Sequence, residues 1–235
     1  MTPAVTEQSR RTAARIAGLT LILPFLIVAF AEFGIFERLI VKGDATQTAQ
    51  NILAHAALFR LGIVADVLYS TGIIILLTAL YRILAPVNRG IALGAAFFRL
   101  MYAVMWLEIV LNCFRALKFL GDDAFFAAFS ASQAQVLTKL ALSNSFDTYY
   151  VGLFFFGLAS TVCSLLWFKS GYIPKALAGF GILASAWAAF CSLGIYVSPD
   201  FPKVVDLSLF DVPLVLFELA LGFWLLIKGL RPAAE

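Results

Sequence analysis

The stretch Arg89–Arg115, RGIALGAAFFRLMYAVMWLEIVLNCFR, preceded by Asn88, decides the fold. It is long and apolar enough to cross a bilayer, which takes about 20 residues, yet it holds Arg99 and Glu108 within it. A charge at that depth needs a partner or water, because placing it at a helix centre costs about 2.5–3.5 kcal/mol on insertion scales. Arg99 and Glu108 are separated by about 900° of helical turn, which puts them on opposite faces. One covered face cannot hide both. This helix is therefore expected near the middle of a bundle, with other helices on two sides.

Of the 235 residues, 62% are hydrophobic and 13% are charged, with a mean hydropathy of +0.95. Soluble domains run nearer to about 45–50% apolar and about 25% charged, so the composition is that of an integral membrane protein. The net charge of +3 comes without a basic stripe or a recognition motif. Nucleic acid is therefore not an expected partner, and the lipid bilayer is. Cys113, Cys163 and Cys191 fall in or beside apolar runs without CxxC spacing. They read as small buried residues rather than as a disulfide framework or a thiolate metal site.

Working outward, the fold class is all-α: an integral membrane bundle of six transmembrane helices with interfacial amphipathic helices in the outer loops. Residues 1–13 form a polar, flexible N-terminus, and 14–231 form one transmembrane helical domain. The first span is Ala14–Phe36, with Glu32 near its far end. Ala29-Phe30-Ala31 imitates a signal-peptide cleavage site, but the apolar stretch continues to Val41, so an uncleaved helix is expected. Residues 44–59 are amphipathic, with Asp44 or Thr46 as cap, and run straight into a second span, Arg60–Leu84. Pro86 and Asn88 mark a tight turn before the third. Gly121 stops that helix, Asp122 and Asp123 offer a cap for the next, and residues 122–146 carry an interfacial rather than a spanning pattern. The fourth span is Thr148–Phe168 and the fifth Ala176–Val197. In the fifth, Gly181, Ser185, Ala188 and Ser192 recur as a small-residue packing stripe, for this chain or for a partner transmembrane helix. A polar loop over 198–210 leads to the sixth span, Asp211–Ile227, with Glu218 near its centre. Six spans put both termini on one side. That side carries nine Lys and Arg against seven on the other, and its loops are shorter, so the termini are expected in the cytoplasm and the protein in a bacterial inner membrane.

The polar residues inside spans are the candidates for chemistry. If the second helix is continuous, Asn51, His55, Gly62, Asp66 and Tyr69 fall within about 60° of one another, with Arg60 pointing the opposite way. Asp66 sits about 9 Å deeper than Arg60, Glu32 and Glu108 lie in the outer half, and Arg99 and Glu218 come close to the midplane. One reading is an outward-facing pocket lined by Glu32, His55, Asp66 and Glu108, since buried carboxylates serve as proton relays or ligand anchors. The other is structural: Arg99 neutralises Asp66 or Glu218, and the remaining acids reach headgroup water. Glu108, Asn112 and Arg115 share one face of the third helix as an interfacial pair. Arg99, Tyr102 and Trp106 form the opposite stripe, where the aromatics can pack on the guanidinium.

No metal site is expected. His55 is the only histidine, whereas zinc hydrolases need several, and the spacing of Glu32, Asp66 and Glu108 does not demand a hard cation. No cofactor motif, GxSxG or HExxH is present, and Ser160, Ser164 and Ser185 have no histidine nearby in their spans, so the chain leans away from being an enzyme. It also lacks an internal repeat and the Gly/Pro-broken helix pairs of many carriers.

Several runs together carry a family resemblance. They are Asn51-Ile52, Leu58-Phe59-Arg60-Leu61-Gly62-Ile63 with Asp66, Ala79-Leu80-Tyr81-Arg82, Phe98-Arg99-Leu100, Phe156-Gly157-Leu158, and FKSGYIPKALAG from Phe168 to Gly179. Glu218 with Trp224-Leu225-Leu226 and Gly229 completes the set. In this order the chain resembles the bacterial family called domain of unknown function 4386. The resemblance implies a multi-pass membrane protein without an established biochemical activity. Family members often carry His after the Phe-x-Gly-Leu type motif, where this chain has Ala159, so a function resting on that His would be missing here.

The reading that follows is a multi-pass membrane protein binding or moving a small or amphiphilic ligand. Arg99, Asp66 and Glu218 would form its buried polar network, and Glu32, Asn51, His55, Arg60 and Glu108 its outer pocket. The alternative is a structural or regulatory membrane subunit, and a lipid-modifying enzyme comes third.

Overall fold

Apolar runs interrupted by turn residues fold into helices throughout the computed structural model, which describes residues 7–121, 129–198 and 200–231. We name them α1 (Glu7–Ala31), α2 (Ala45–Ala54), α3 (Ala56–Leu84), α4 (Arg89–Leu120), α5 (Ala131–Ser170), α6 (Lys175–Val197), α7 (Phe201–Val204) and α8 (Leu207–Ile227). There is no strand among the described residues. Six helical stretches are long and apolar enough to cross a membrane: Gln8–Leu39, Ala56–Leu84, Arg89–Leu120, Ala131–Ser170, Lys175–Val197 and Leu209–Ile227. Large apolar side chains stay uncovered on these stretches, such as Leu183 at 73% and Phe33 at 65% exposure. In water such a surface would drive aggregation; in lipid it is the contact surface.

Local chemistry explains several helix ends. Asp44 caps α2, its carboxylate accepting from the Gln47 N–H at 2.8 Å, and Asn88 caps α4 by accepting from the Ile91 N–H at 3.0 Å. Gly171, at φ +66, closes α5 in the left-handed region that a side chain disfavours. Pro174 then opens α6.

Four expectations are corrected. α1 begins at Glu7, inside the stretch expected to be a flexible tail. After Ala31 it widens into a π-helical turn, Glu32–Phe36, and regains α geometry over Glu37–Leu39. α2 does not run straight into the second span, because His55 leaves the helix at φ −124, ψ 37. The interfacial stretch and the fourth span are one helix of 40 residues from Ala131. At about 1.5 Å per residue it exceeds a hydrocarbon core of about 30 Å, so one end stands beyond it. The loop over 198–210 holds α7 and the first turn of α8. Asp122 and Asp123 lie outside the described residues.

The chain divides into two compact units: Met1–Leu23, Gly72–Ala103 and Val151–Glu235 in one, Pro24–Thr71 and Val104–Tyr150 in the other. α1, α3, α4 and α5 contribute residues to both. The first unit packs Trp167, Phe210, Phe217, Leu76 and Ile83, all nearly inaccessible. Its small-residue stripe serves internal packing: Ser185, Ala188 and Ser192 are fully buried. The Thr161 hydroxyl of α5 donates to Ser185 at 2.9 Å. The second unit buries Ile35, Phe36, Ile52, Phe59, Ile63 and Val110 in one cluster, with Phe36 and Phe59 edge to face at 5.5 Å.

Backbone approach between α5 and α6 depends on Gly157, where a Cβ would lie 2.8 Å from both the Ala189 nitrogen and the Ser185 carbonyl oxygen. Nothing lies within 4 Å of a Cβ at Gly179. Thermal unfolding in detergent is expected to show Gly157→Ala losing about 1–3 kcal/mol. Gly179→Ala should be neutral or gain up to about 1 kcal/mol of helix propensity.

Candidate functional site

Arg99 enters the first unit on α4, nearly three turns along a helix that is apolar after Arg89, and is only 2% exposed. Its Nη2 donates to Glu218 Oε1 of α8 at 2.9 Å and to Ser160 Oγ of α5 at 2.7 Å. Ser160 Oγ in turn donates to the same Glu218 oxygen at 2.5 Å. The three groups form a closed triangle that joins three helices. Phe156, one turn from Ser160 on α5, lies 4.8 Å from the guanidinium carbon, and Tyr102 packs on Phe156 with centroids 4.6 Å apart. The aromatic cover of Arg99 thus comes from Phe156, a residue the sequence reading missed, whereas Tyr102 and Trp106 were expected.

Beside Arg99 is a cavity of about 10 Å³, lined by Tyr81, Ala95, Cys163 and other small or apolar groups. That is room for one water at most. The arrangement is a paired core charge with little free space beside it, and it suits holding helices together better than receiving a ligand.

Asp66 has a different solution. It belongs to the second unit, is 3% exposed, and accepts a hydrogen bond from Trp106 Nε1 at 3.2 Å. Tyr69, one turn along α3, packs on Trp106 at 4.5 Å between centroids, and Tyr149 meets Trp106 edge-on at 6.0 Å. Among the described residues no cationic side chain pairs with Asp66. A second carboxyl, Glu32, leads the π-helical turn of the same unit. π-turns inside α-helices recur at functional sites.

The other expected pocket residues are occupied elsewhere. Glu108 accepts from Arg115 Nη1 at 2.6 Å, and the same nitrogen donates to Asn112 Oδ1 at 2.5 Å. This is the ion pair expected from their spacing. Asn51 bonds Gln47 and the Leu39 carbonyl, and the His55 ring folds back 3.2 Å from the Asn51 carbonyl oxygen. The helix break at His55 removes the five-residue stripe that a continuous helix would have built. Arg60 is exposed. Among the described residues no group of three His, Cys, Asp or Glu side chains is arranged to hold a metal ion. Cys113, Cys163 and Cys191 are free and buried.

The triangle yields a testable asymmetry. Arg99→Met or Glu218→Leu alone strands the opposite charge and should cost about 3–5 kcal/mol in reversible unfolding. The double variant should recover most of that loss, because removing both charges also removes their desolvation penalty.

An uncharacterized protein of Archaeoglobus fulgidus is 26% identical over 155 residues, which cover 64% of this chain and 73% of that protein. No solved structure matches the chain at a significant level. The model of the family described as Domain of unknown function (DUF4386) matches residues 16–229. That match takes in the Arg99–Ser160–Glu218 triangle, Asp66 and Glu32, and the chain belongs to that family.

Proposed function

We propose that the protein binds a small amphiphilic cation through Asp66, with Glu32 as the second acid, while the Arg99–Glu218 pair serves the fold. One observation carries this reading. Asp66 is a carboxylate at membrane depth, walled by Trp106, Tyr69 and Tyr149, and has no cationic side chain among the described residues. Such a group calls for a counter-charge or a proton, and a bound cation supplies the first. Aromatic rings around it favour a ligand with an apolar body, whose ammonium they also attract. Membrane insertion with both termini in the cytoplasm of a bacterial inner membrane fits this reading, supported by the nine basic residues on the terminal side against seven opposite.

The alternative, a structural or regulatory subunit, is favoured by the closed Arg99 triangle and the small cavity beside it. Equilibrium dialysis of the purified protein with tetraphenylphosphonium separates the two. Wild-type protein should bind it, and Asp66→Asn should weaken binding at least about tenfold while the protein stays monodisperse. Equal binding by both proteins, or binding by neither, would reject Asp66 as the anchor and leave the structural role.

A further inference from the structure

The first unit carries a groove of about 310 Å³ between α1 and α3, lined at one end by Ser9, Thr12, Thr78 and Arg82 and at the other by Ile16 and Ile75. This volume lies in the range of small-molecule sites, about 300–1,000 Å³. Arg82 stands in the last turn of α3 and donates from Nη2 to Ser9 Oγ at 2.8 Å, in the first turn of α1. Among the described residues no carboxylate pairs with it. Thr12 and Thr78 bond the carbonyls of their own helices, Gln8 at 3.0 Å and Ile75 at 2.7 Å, so Arg82 is the charged group of the lining. Arg10 is engaged elsewhere, stacked 4.4 Å from the Tyr172 ring centroid.

The polar end sits at the ends of two spans, where headgroups lie. Ile16 and Ile75 are about two turns further along each helix, some 10 Å toward the acyl region, and remain 38% and 45% exposed. We infer that the groove between α1 and α3 is a binding site for an anionic glycerophospholipid, its phosphate on Arg82 and an acyl chain along Ile16 and Ile75.

Two features select this occupant. A free phosphate would use Arg82 but gain nothing from the apolar half. A zwitterionic lipid brings its own ammonium, which competes with the guanidinium for the phosphate; a phosphatidylglycerol headgroup does not. Basic pockets between transmembrane helices take anionic headgroups for the same reason. The groove shares no lining residue with the Asp66 cluster, so this inference stands whatever that carboxylate binds.

Native mass spectrometry tests it, on full-length protein released from nanodiscs of equal phosphatidylglycerol and phosphatidylcholine. Wild type should retain phosphatidylglycerol in preference to phosphatidylcholine. Arg82→Gln should lower its retention about fivefold, the effect of one basic contact. Ile16→Trp, which fills the apolar half and keeps the charge, should lower it as well. Both variants are compared with wild type by thermal unfolding, and Arg89→Gln, which changes a basic residue outside the groove, should retain the lipid. The inference is overturned if the two lipids are held equally, or if Arg82→Gln or Ile16→Trp keeps phosphatidylglycerol at the wild-type level. Displacement of the lipid by millimolar inorganic phosphate would also overturn it, by showing that the acyl half contributes nothing.

Discussion

A full positive charge in the middle of an apolar helix is the constraint that the first unit is built around. Arg99 is as inaccessible as the surrounding leucines, and hydrocarbon offers no hydration in exchange. Two helices supply the answer: a carboxylate from α8, and both a hydroxyl and the face of Phe156 from α5. Each is directional, so the triangle sets the facing of α4, α5 and α8 in a way that apolar contact with lipid-like surroundings does not. Apolar burial gives little drive for helices to associate inside a bilayer, which leaves close packing and polar contacts to do it. The small residues of α6 supply the close packing, with Ser185, Ala188 and Ser192 wholly covered.

The second unit holds a carboxylate of the same chemistry under other terms. Glu218 has a guanidinium; Asp66 has an indole N–H and a wall of aromatic rings. A neutral donor relieves part of the desolvation of a carboxylate but does not cancel its charge. The unit also departs from regular helix packing at two places. α1 passes through a π-turn at Glu32, and Gly62 lets α3 approach Phe36, whose ring a Cβ there would meet at 2.7 Å. One unit therefore spends its buried charge on cohesion, and the other keeps an acid that has no basic partner among the described residues.

Six spans were legible because length and hydropathy decide them, and so was the need of Arg99 and Glu108, as charges inside a span, for a partner or water. Each has a partner: Glu218 for Arg99, Arg115 for Glu108. Cover by other helices on both sides was expected too, but Glu108 is partly exposed and pairs within its own helix. The choice of Glu218 over Asp66 was not legible, since depth in a helix says nothing of which neighbour faces it. Ser160 was weighed as a nucleophile and set aside, whereas its position one turn from Ser164 could have marked a buried polar stripe on an uncharged span. The Asn51–His55 grouping failed for a local reason. A single residue leaving helical φ and ψ at His55 rotates everything before it, and no Gly or Pro announces that break. The long α5 went unread because its amphipathic first half and apolar second half have different periodicity, while backbone hydrogen bonding continues through both.

The most direct measurement is a solid-state NMR distance in lipid bilayers, from carboxyl-13C of Glu218 to guanidinium-15N of Arg99. The oxygen–nitrogen separation of 2.9 Å predicts strong dipolar dephasing between these labels, lost on Arg99→Lys replacement of the labelled group. Absence of dephasing in folded wild-type protein would mean that the charges face something other than each other, and the account of how these helices are held would fail.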